Sequence, residues 1–324
     1  MSKEITEKEK AEDSDTLKAV SKDFLKTLYK ATENVKEVKL DDISLGPWSH
    51  SKLKTLEKCP LQFFLKYVVK AKLPKELAEL QDSSAADTGS AAHKILEHIF
   101  SGHEVPRAYA LAKAEFVPDK LSEEMWEERI VGVEGNIISF KDRIDSFKRR
   151  HKVKKIYQEV RIGVTRDWKK TTFFAGDVWL RGVIDFVILL ENGDILLIDW
   201  KYGPPANAGI RFYTQQLDSY GPLFNYGVTA IKGMTSGIGF IRDGEIILGE
   251  YKDEDAISNK LKNTVMWNIE GAIEQVKTDG KFEKKVGSHC TYCEFAPWCK
   301  SRTKGTNLKE LEESTRRFIP INQQ

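Results

Sequence analysis

The sequence has few cysteines and no long apolar run. Among its 324 residues are 4 cysteines, too few for disulfides to stabilise a chain of this length. No apolar stretch reaches the roughly 18 residues that a membrane-spanning helix needs. The opening MSKEITEKEK is highly charged and lacks the apolar core of a signal peptide. These absences favour a cytoplasmic protein whose cysteines form a metal or redox site.

The chain also lacks a strong excess of charge of either sign. Its 51 Lys and Arg residues face 49 Asp and Glu residues, which gives a formal net charge of +2. A nucleic-acid surface would therefore have to be a local basic groove. One basic stretch fits that role, although such runs are also common on solvated faces: Lys148, Arg149, Arg150, Lys152, Lys154 and Lys155.

Apolar periodicity and composition divide the chain into parts. Helical spacing of apolar residues gives way to runs rich in Val, Ile, Phe and Trp, which predict strands. Helices before and after a central group of strands predict an α/β fold. The predicted parts are a helical or partly disordered extension (1–43), one domain (44–310) with a helical insertion (about 100–152), a catalytic core (about 156–252) and a cysteine segment (285–302), and a tail (311–324).

Two apolar runs of the core each carry one aspartate, Asp185 and Asp199. A buried carboxylate is unfavourable unless a cation, a proton or several hydrogen bonds compensate it. Lys201 follows Asp199 by two residues, so on a strand the two side chains share one face. The pattern predicts a charged cluster set among apolar strands.

The turn between the runs decides whether the two aspartates meet. A two-residue Asn192-Gly193 turn would set Asp185 opposite Trp200, on the wrong face of the hairpin. A three-residue Glu191-Asn192-Gly193 loop, with its glycine left-handed, instead sets Asp185 opposite Asp199. Their Cβ atoms would then be about 5 Å apart. We predict this three-residue loop.

Two facing carboxylates beside a lysine suit a divalent cation, which prefers hard oxygen ligands. Such an ion lowers the pKa of a bound water and offsets the charge that develops on a phosphodiester. Lys201 could stabilise the same charge. The alternative interpretation is a structural Asp–Lys cluster that closes the end of a strand.

Asp185 followed by Asp199-Trp200-Lys201 resembles the PD-(D/E)XK nuclease superfamily, and within it the RecB-like exonucleases. The family places an acidic residue on one strand and Asp/Glu-x-Lys on the next. The resemblance implies a restriction-endonuclease-like core, a mixed sheet flanked by helices. It also implies that Mg²⁺ or Mn²⁺ is the cofactor, and that Asp185, Asp199 and Lys201 are catalytic.

Further motifs of the RecB-like branch match in order along the chain. Gly-x-x-x-His on an early helix matches Gly89 to His93. The resemblance implies that His93 is a metal ligand together with Asp185 and Asp199. Gln-x-x-x-Tyr on a later helix matches Gln216 and Tyr220, which would line the DNA side of the site and share one helix face. A catalytic glutamate is expected on the first strand. Glu159 is the match, with Asp177 as a competitor.

The cysteines form an unusual set, with Cys290, Cys293 and Cys299 near one end and Cys59 far upstream. A local zinc knuckle usually has two close ligand pairs, whereas a triplet with one distant partner suits an iron–sulfur cluster held by four thiolates. The set resembles iron–sulfur nucleases of the AddB type and CRISPR-associated RecB-like exonucleases, which implies a [4Fe–4S] cluster. A structural Zn²⁺ is the alternative.

The resemblance implies an exodeoxyribonuclease that acts on DNA ends, with single-stranded DNA preferred, in recombination, repair or CRISPR-type DNA processing. No G-x-x-x-x-G-K-[ST] motif occurs, so any unwinding would need a helicase partner. An oligomer is compatible with the family. The alternatives are a catalytically silent DNA-end-binding module, a nuclease subunit of a helicase–nuclease complex, and a zinc-stapled interaction protein.

Overall fold

A computed structural model of the chain describes residues 46–68, 70–71, 83–117, 119–204, 207–279 and 282–299. The predictions for the extension 1–43 and the tail 311–324 lie outside these residues. The chain divides into two compact units, the first comprising Met1–Leu45, Ser51–Asp82 and Asn268–Gln324, and the second Gly46–His50 and Ser83–Trp267. In the described ranges, none of the helices combines the length and apolar character that a membrane crossing requires.

The second unit contains a seven-stranded sheet. Its strands are β1 (Val153–Val164), β2 (Lys170–Thr171), β3 (Leu180–Leu190), β4 (Asp194–Lys201), β5 (Gly233–Phe240), β6 (Glu245–Leu248) and β7 (Lys252–Asp253). The order is β2-β1-β3-β4-β5-β6, and β7 also pairs with β5. β4 and β5 are parallel, while the other neighbours are antiparallel. The sheet is therefore mixed, which confirms the predicted fold class.

Helices precede, interrupt and follow the strands. They are α1 (His50–Lys58), α2 (Pro60–Phe63), α3 (Ser84–Phe100), α4 (Val105–Phe116), α5 (Glu123–Met125), α6 (Glu134–Arg150), α7 (Asn207–Gly227), α8 (Lys262–Asp279) and α9 (Ala296–Cys299). Three segments wind as π-helical turns, at Phe64–Val68, Trp126–Ile130 and Ala256–Leu261. The predicted helical insertion is thus helical in the structure.

Helices cover both faces of the central strands. On one face, Trp200 of β4 packs against Phe100 of α3 and Phe140 of α6, with ring centroids 6.1 and 5.4 Å apart. On the other face, Phe224 of α7 packs against Tyr157 of β1 at 5.3 Å. Since both faces are covered, β4 is apolar along most of its length, as its sequence shows.

The hairpin of β3 and β4 has the predicted register. Phe186 lies opposite Ile198 and Leu189 opposite Ile195, which continues to Asp185 opposite Asp199. Gly193 has a φ of +91°, the left-handed conformation that a three-residue loop requires. The prediction of this loop is confirmed.

The alternation of side chains in β1 reverses near the middle of the strand. Tyr157 contacts Phe224 of α7, and a Cβ built on Gly227 of α7 would lie 2.2 Å from Ile162. The two β1 residues are an odd number of positions apart, so strict alternation would place them on opposite faces. Between them lies Glu159 with a φ of +45°, which is rare for a residue other than glycine.

The partner strand shows the same reversal. A Cβ on Gly182 would contact Leu223 and Tyr220 of α7, whereas Phe186 packs on Phe100 of α3, at 4.7 Å between ring centroids. These β3 residues are an even number of positions apart, yet they face opposite sides of the sheet. The reversal in β1 lies near Glu159, and that in β3 lies between Gly182 and Phe186, a span that contains Asp185.

In the first unit, two segments that are distant in sequence pack together. A buried apolar cluster combines Cys59, Leu61, Phe64 and Leu65 with Phe295. The backbone amide of Leu61 donates to the carbonyl of Glu283 at 3.3 Å. The ammonium of Lys66 pairs with Glu294 at 2.8 Å. The segment after α1 is thereby joined to the C-terminal cysteine segment.

Candidate active site

Asp185 of β3 accepts a main-chain hydrogen bond from the neighbouring strand. The amide of Trp200 donates to its Oδ2 at 2.8 Å, beyond the last regular pair of the hairpin, Phe186 opposite Ile198. The carboxylate thus takes a position that a backbone carbonyl would otherwise fill. This hydrogen bond fixes Asp185 beside Asp199, which is 1% exposed.

Lys201 lies directly against Asp199. Its Nζ is 2.5 Å from Oδ2 of Asp199 and 5.2 Å from the centre of the Tyr213 ring. Burial disfavours the charge on this ammonium, but the carboxylates of Asp199 and Asp185 outweigh burial and raise the pKa of Lys201. The lysine is therefore a cation within the site.

Gln216 of α7 contacts Asp199, and Tyr220 of the same helix contacts Gln216. The Gln216 amide nitrogen is 3.1 Å from Oδ1 of Asp199 and 2.7 Å from the Tyr220 hydroxyl oxygen. Burial, with the charge of Asp199, raises the pKa of Tyr220. The Gln216 amide therefore holds the Asp199 carboxylate, and the phenol of Tyr220 fixes the Gln216 amide.

His93 of α3, Glu159 of β1 and Asp185 form a compact donor group. One possible ligand atom from each lies within 4.8 Å of the others, and Nδ1 of His93 is 3.7 Å from Oδ2 of Asp185. Asp199 is outside this group and pairs with Lys201. The structure thus brings together His93, Glu159 and Asp185, three predicted site residues, and places Asp199, the third acidic one, beside them.

The surroundings of the acidic side chains in the site disfavour their ionised forms. Burial, with the neighbouring carboxylate of Asp185, raises the pKa of Glu159 to about 7 and that of Asp199 to about 6. Burial also raises the pKa of Asp185. Burial, assisted by Lys201, lowers the pKa of His93, so its imidazole is neutral and can donate a lone pair.

This donor set fits a divalent cation. Carboxylate oxygens are the ligands that Mg²⁺ and Mn²⁺ prefer, and a neutral imidazole suits first-row transition metals such as Mn²⁺. A nearby cation would also compensate the three carboxylates whose ionisation burial opposes. Both the chemistry of the donors and their electrostatics therefore favour an ion at this position.

Two other predictions concern residues outside the group. Asp177, the competitor of Glu159, is exposed in the loop before β3 and accepts a hydrogen bond from Thr171 at 2.7 Å. In the basic stretch, Lys148 pairs with Asp145 at 3.0 Å, while Arg149 and Arg150 are exposed at the end of α6. Asp177 therefore has a local hydrogen-bonding role, and the two arginines remain open to solvent.

The four cysteines lie in the first unit and are present as thiols. Burial raises the pKa of Cys293 to about 11, and the thiols of Cys59, Cys299 and Cys290 add to that shift. Among the described residues, no three of their sulfurs meet the 4.8 Å spacing of the His93 group. The thiols are thus near one another but more widely spaced than the donors of the acidic site.

The sequence marks Arg211 to Tyr213 as a candidate for substrate contact, but it did not predict a role for Tyr213 beside Lys201. Tyr213 precedes Gln216 by three residues and Tyr220 by seven on α7, so all three share one helix face. That spacing was the available signal. The contact of its ring with Lys201 could not be found from spacing alone.

The chain is similar to one protein-family model and to solved structures. The model of a family described as the PD-(D/E)XK nuclease superfamily matches residues 47–300. No curated protein matches the chain. The crystal structure of SSO0001 is similar at 16% identity and a TM-score of 0.36, over 88% of this chain and 98% of that one. A structure described as "Putative exonuclease" from Eubacterium rectale is similar at 13% identity and a TM-score of 0.47, over 82% and 92%. These two similarities are too low to support any argument about activity.

Proposed function

The chain belongs to the PD-(D/E)XK nuclease superfamily, and on that premise we propose that it is a metal-dependent exodeoxyribonuclease. It hydrolyses phosphodiester bonds at DNA ends and prefers single-stranded DNA. The observation that carries the proposal is the donor group of His93, Glu159 and Asp185 next to the Asp199–Lys201 pair. A purely structural cluster would need no imidazole and no second and third carboxylate.

The residues have separate roles in the proposed reaction. His93, Glu159 and Asp185 hold Mg²⁺ or Mn²⁺, and Asp199 joins them from the neighbouring strand. When bound, the ion supplies an activated water and neutralises charge on the phosphate. The ammonium of Lys201 stabilises the same charge as it develops. Gln216 and Tyr220 orient Asp199 and form the side of the site along which the DNA strand lies.

We also propose that Cys59, Cys290, Cys293 and Cys299 hold a [4Fe–4S] cluster. The order of the cysteines supports this choice over Zn²⁺. A local zinc knuckle usually has two close ligand pairs, whereas here a triplet is combined with one distant cysteine, which suits a cluster held by four thiolates. Because its ligands come from two distant segments, the cluster would contribute to folding.

The cellular role that we propose is DNA processing in recombination, repair or CRISPR systems, in the cytoplasm, with a helicase partner where duplex DNA must be unwound. The exposed arginines at the end of α6 are proposed to contact DNA phosphates. The family membership supports this role, and the residues of the site supply the chemistry for it.

A nuclease assay tests the proposed activity. End-labelled single-stranded and double-stranded DNA and a closed single-stranded circle are incubated with Mg²⁺, with Mn²⁺ or with EDTA. We expect ion-dependent loss of nucleotides from linear DNA and an intact circle. Lys201→Ala should lower the rate by about 100-fold or more. Lys169→Ala, at an exposed lysine paired with Asp167, is the matched control and should act like wild type.

Two results would overturn the proposal. Normal DNA binding without cleavage under any divalent ion would identify a silent end-binding module. Full activity of Lys201→Ala would remove the site assignment.

A further inference from the structure

Lys201 has a second neighbour besides Asp199. Its ammonium lies over the ring of Tyr213, 5.2 Å from the ring centre. A cation in this position is attracted by the electron-rich face of the ring. The side chain of Lys201 is 23% exposed, so the contact is shielded from most of the solvent and is stronger than it would be at the surface.

The Tyr213 ring is itself held in place by the strand beside Lys201. Phe240 is the residue opposite Lys201 in the parallel pairing of β4 and β5. The rings of Tyr213 and Phe240 meet edge to face with centroids 6.2 Å apart. Tyr213 therefore lies beside Lys201 on the same face of α7 as Gln216, which donates a hydrogen bond to Asp199.

We propose that Tyr213 is a positioning residue whose ring holds the Lys201 ammonium where it meets the phosphate of the substrate. This inference rests on the nuclease function proposed above. It assigns no proton transfer or bond formation to Tyr213.

The physical reason is that Lys201 cannot rely on Asp199 alone. A lysine has a flexible four-carbon stem, and its ammonium is a point charge without a preferred direction. Asp199 already accepts a hydrogen bond from Gln216 and would share its charge with a bound ion. The ring of Tyr213 attracts the ammonium whatever the state of that carboxylate, and therefore keeps it in place during the reaction.

Three variants test the proposal. Tyr213→Phe keeps the ring and removes the hydroxyl, whereas Tyr213→Leu removes the ring. Tyr226→Leu is the matched control, because Tyr226 lies on the same helix and packs its ring at 4.7 Å from another lysine, Lys262. The readouts are kcat and KM on single-stranded DNA, DNA affinity in EDTA, and the unfolding temperature.

We expect Tyr213→Leu to lower kcat by about 10-fold with little change in KM or DNA affinity. Tyr213→Phe should restore most of that loss, and Tyr226→Leu should leave kcat unchanged. In the Lys201→Ala background, Tyr213→Leu should have no further effect, because the ring acts through the lysine.

Contrary results have distinct meanings. If Tyr213→Leu retains the wild-type kcat, or lowers kcat equally with and without Lys201, the positioning role is wrong. If Tyr213→Phe is as impaired as Tyr213→Leu, the hydroxyl rather than the ring matters and the proposal also fails. Inactive wild-type protein would instead overturn the proposed nuclease function.

Discussion

The amide of Trp200 donates a 2.8 Å hydrogen bond to the carboxylate of Asp185. The position of this aspartate is therefore set by the backbone of the strand that also carries Asp199 and Lys201. Because the hydrogen bond needs only an acceptor oxygen, it can be kept while the charge of Asp185 is removed.

Asp185→Asn separates these two properties. The amide oxygen can still accept the hydrogen bond from Trp200. Because the asparagine side chain is neutral, it avoids the cost of burying a charge, which is the cause of the raised pKa of Asp185. We expect the metal-free variant to unfold at or above the wild-type temperature, but to lose cleavage and the stabilisation that Mg²⁺ or Mn²⁺ gives. Thermal unfolding in EDTA and in each ion measures both effects. Ion-dependent cleavage at the wild-type rate would contradict the assignment of Asp185.

Glu159 should be a strained position. Its φ of +45° costs about 1–2 kcal/mol for any residue with a Cβ atom. We expect Glu159→Gly to be more stable than Glu159→Ala by about 1 kcal/mol in urea unfolding, although neither should be active. At Val160 the order should reverse, since glycine weakens an ordinary strand position. Equal stability of the two Glu159 variants would show that the backbone there is relaxed.

The metal-free protein should lose stability as the pH rises from about 4.5 to about 7. The pKa of Glu159 is raised from 4.5 in an ordinary environment to about 7 in the fold. Between these values the folded state binds more protons than the unfolded state, so its stability decreases with rising pH. Asp199, with its pKa raised to about 6, acts in the same direction.

Glu159→Gln isolates the contribution of the site, because carboxylates away from the site titrate equally in both proteins. The unfolding temperature of wild type in EDTA should fall relative to the variant across that range, and Mg²⁺ should cancel the difference. A gap between the two proteins that does not change with pH would disprove the electrostatic account of the site.

The proposed [4Fe–4S] cluster should give the protein a visible colour. Protein purified without oxygen should be brown and contain iron, whereas a zinc protein would be colourless because Zn²⁺ has a filled d shell. Cys59→Ser and Cys293→Ser should each lose iron and unfold at a lower temperature. Lys201→Ala should keep its colour, since it leaves the first unit unchanged. A colourless protein with one bound zinc would overturn the cluster assignment.

The sequence was sufficient to predict the fold class and the register of the central hairpin. Gly193 allowed the three-residue loop to be chosen, because that loop alone sets Asp185 opposite Asp199. The reversal of side chains near Glu159 could not be predicted, since alternation assumes ordinary strand geometry and no residue type signals a left-handed glutamate. The contact between Gln216 and Asp199 also depends on how α7 packs, which spacing along one helix cannot show.

The first unit is formed from segments on both sides of the second unit in sequence. Cys59 is therefore made early during synthesis, but its three partner thiols emerge only after all of Ser83–Trp267. Any metal centre at those thiols can therefore be completed only after the whole sheet and its acidic site have been synthesised.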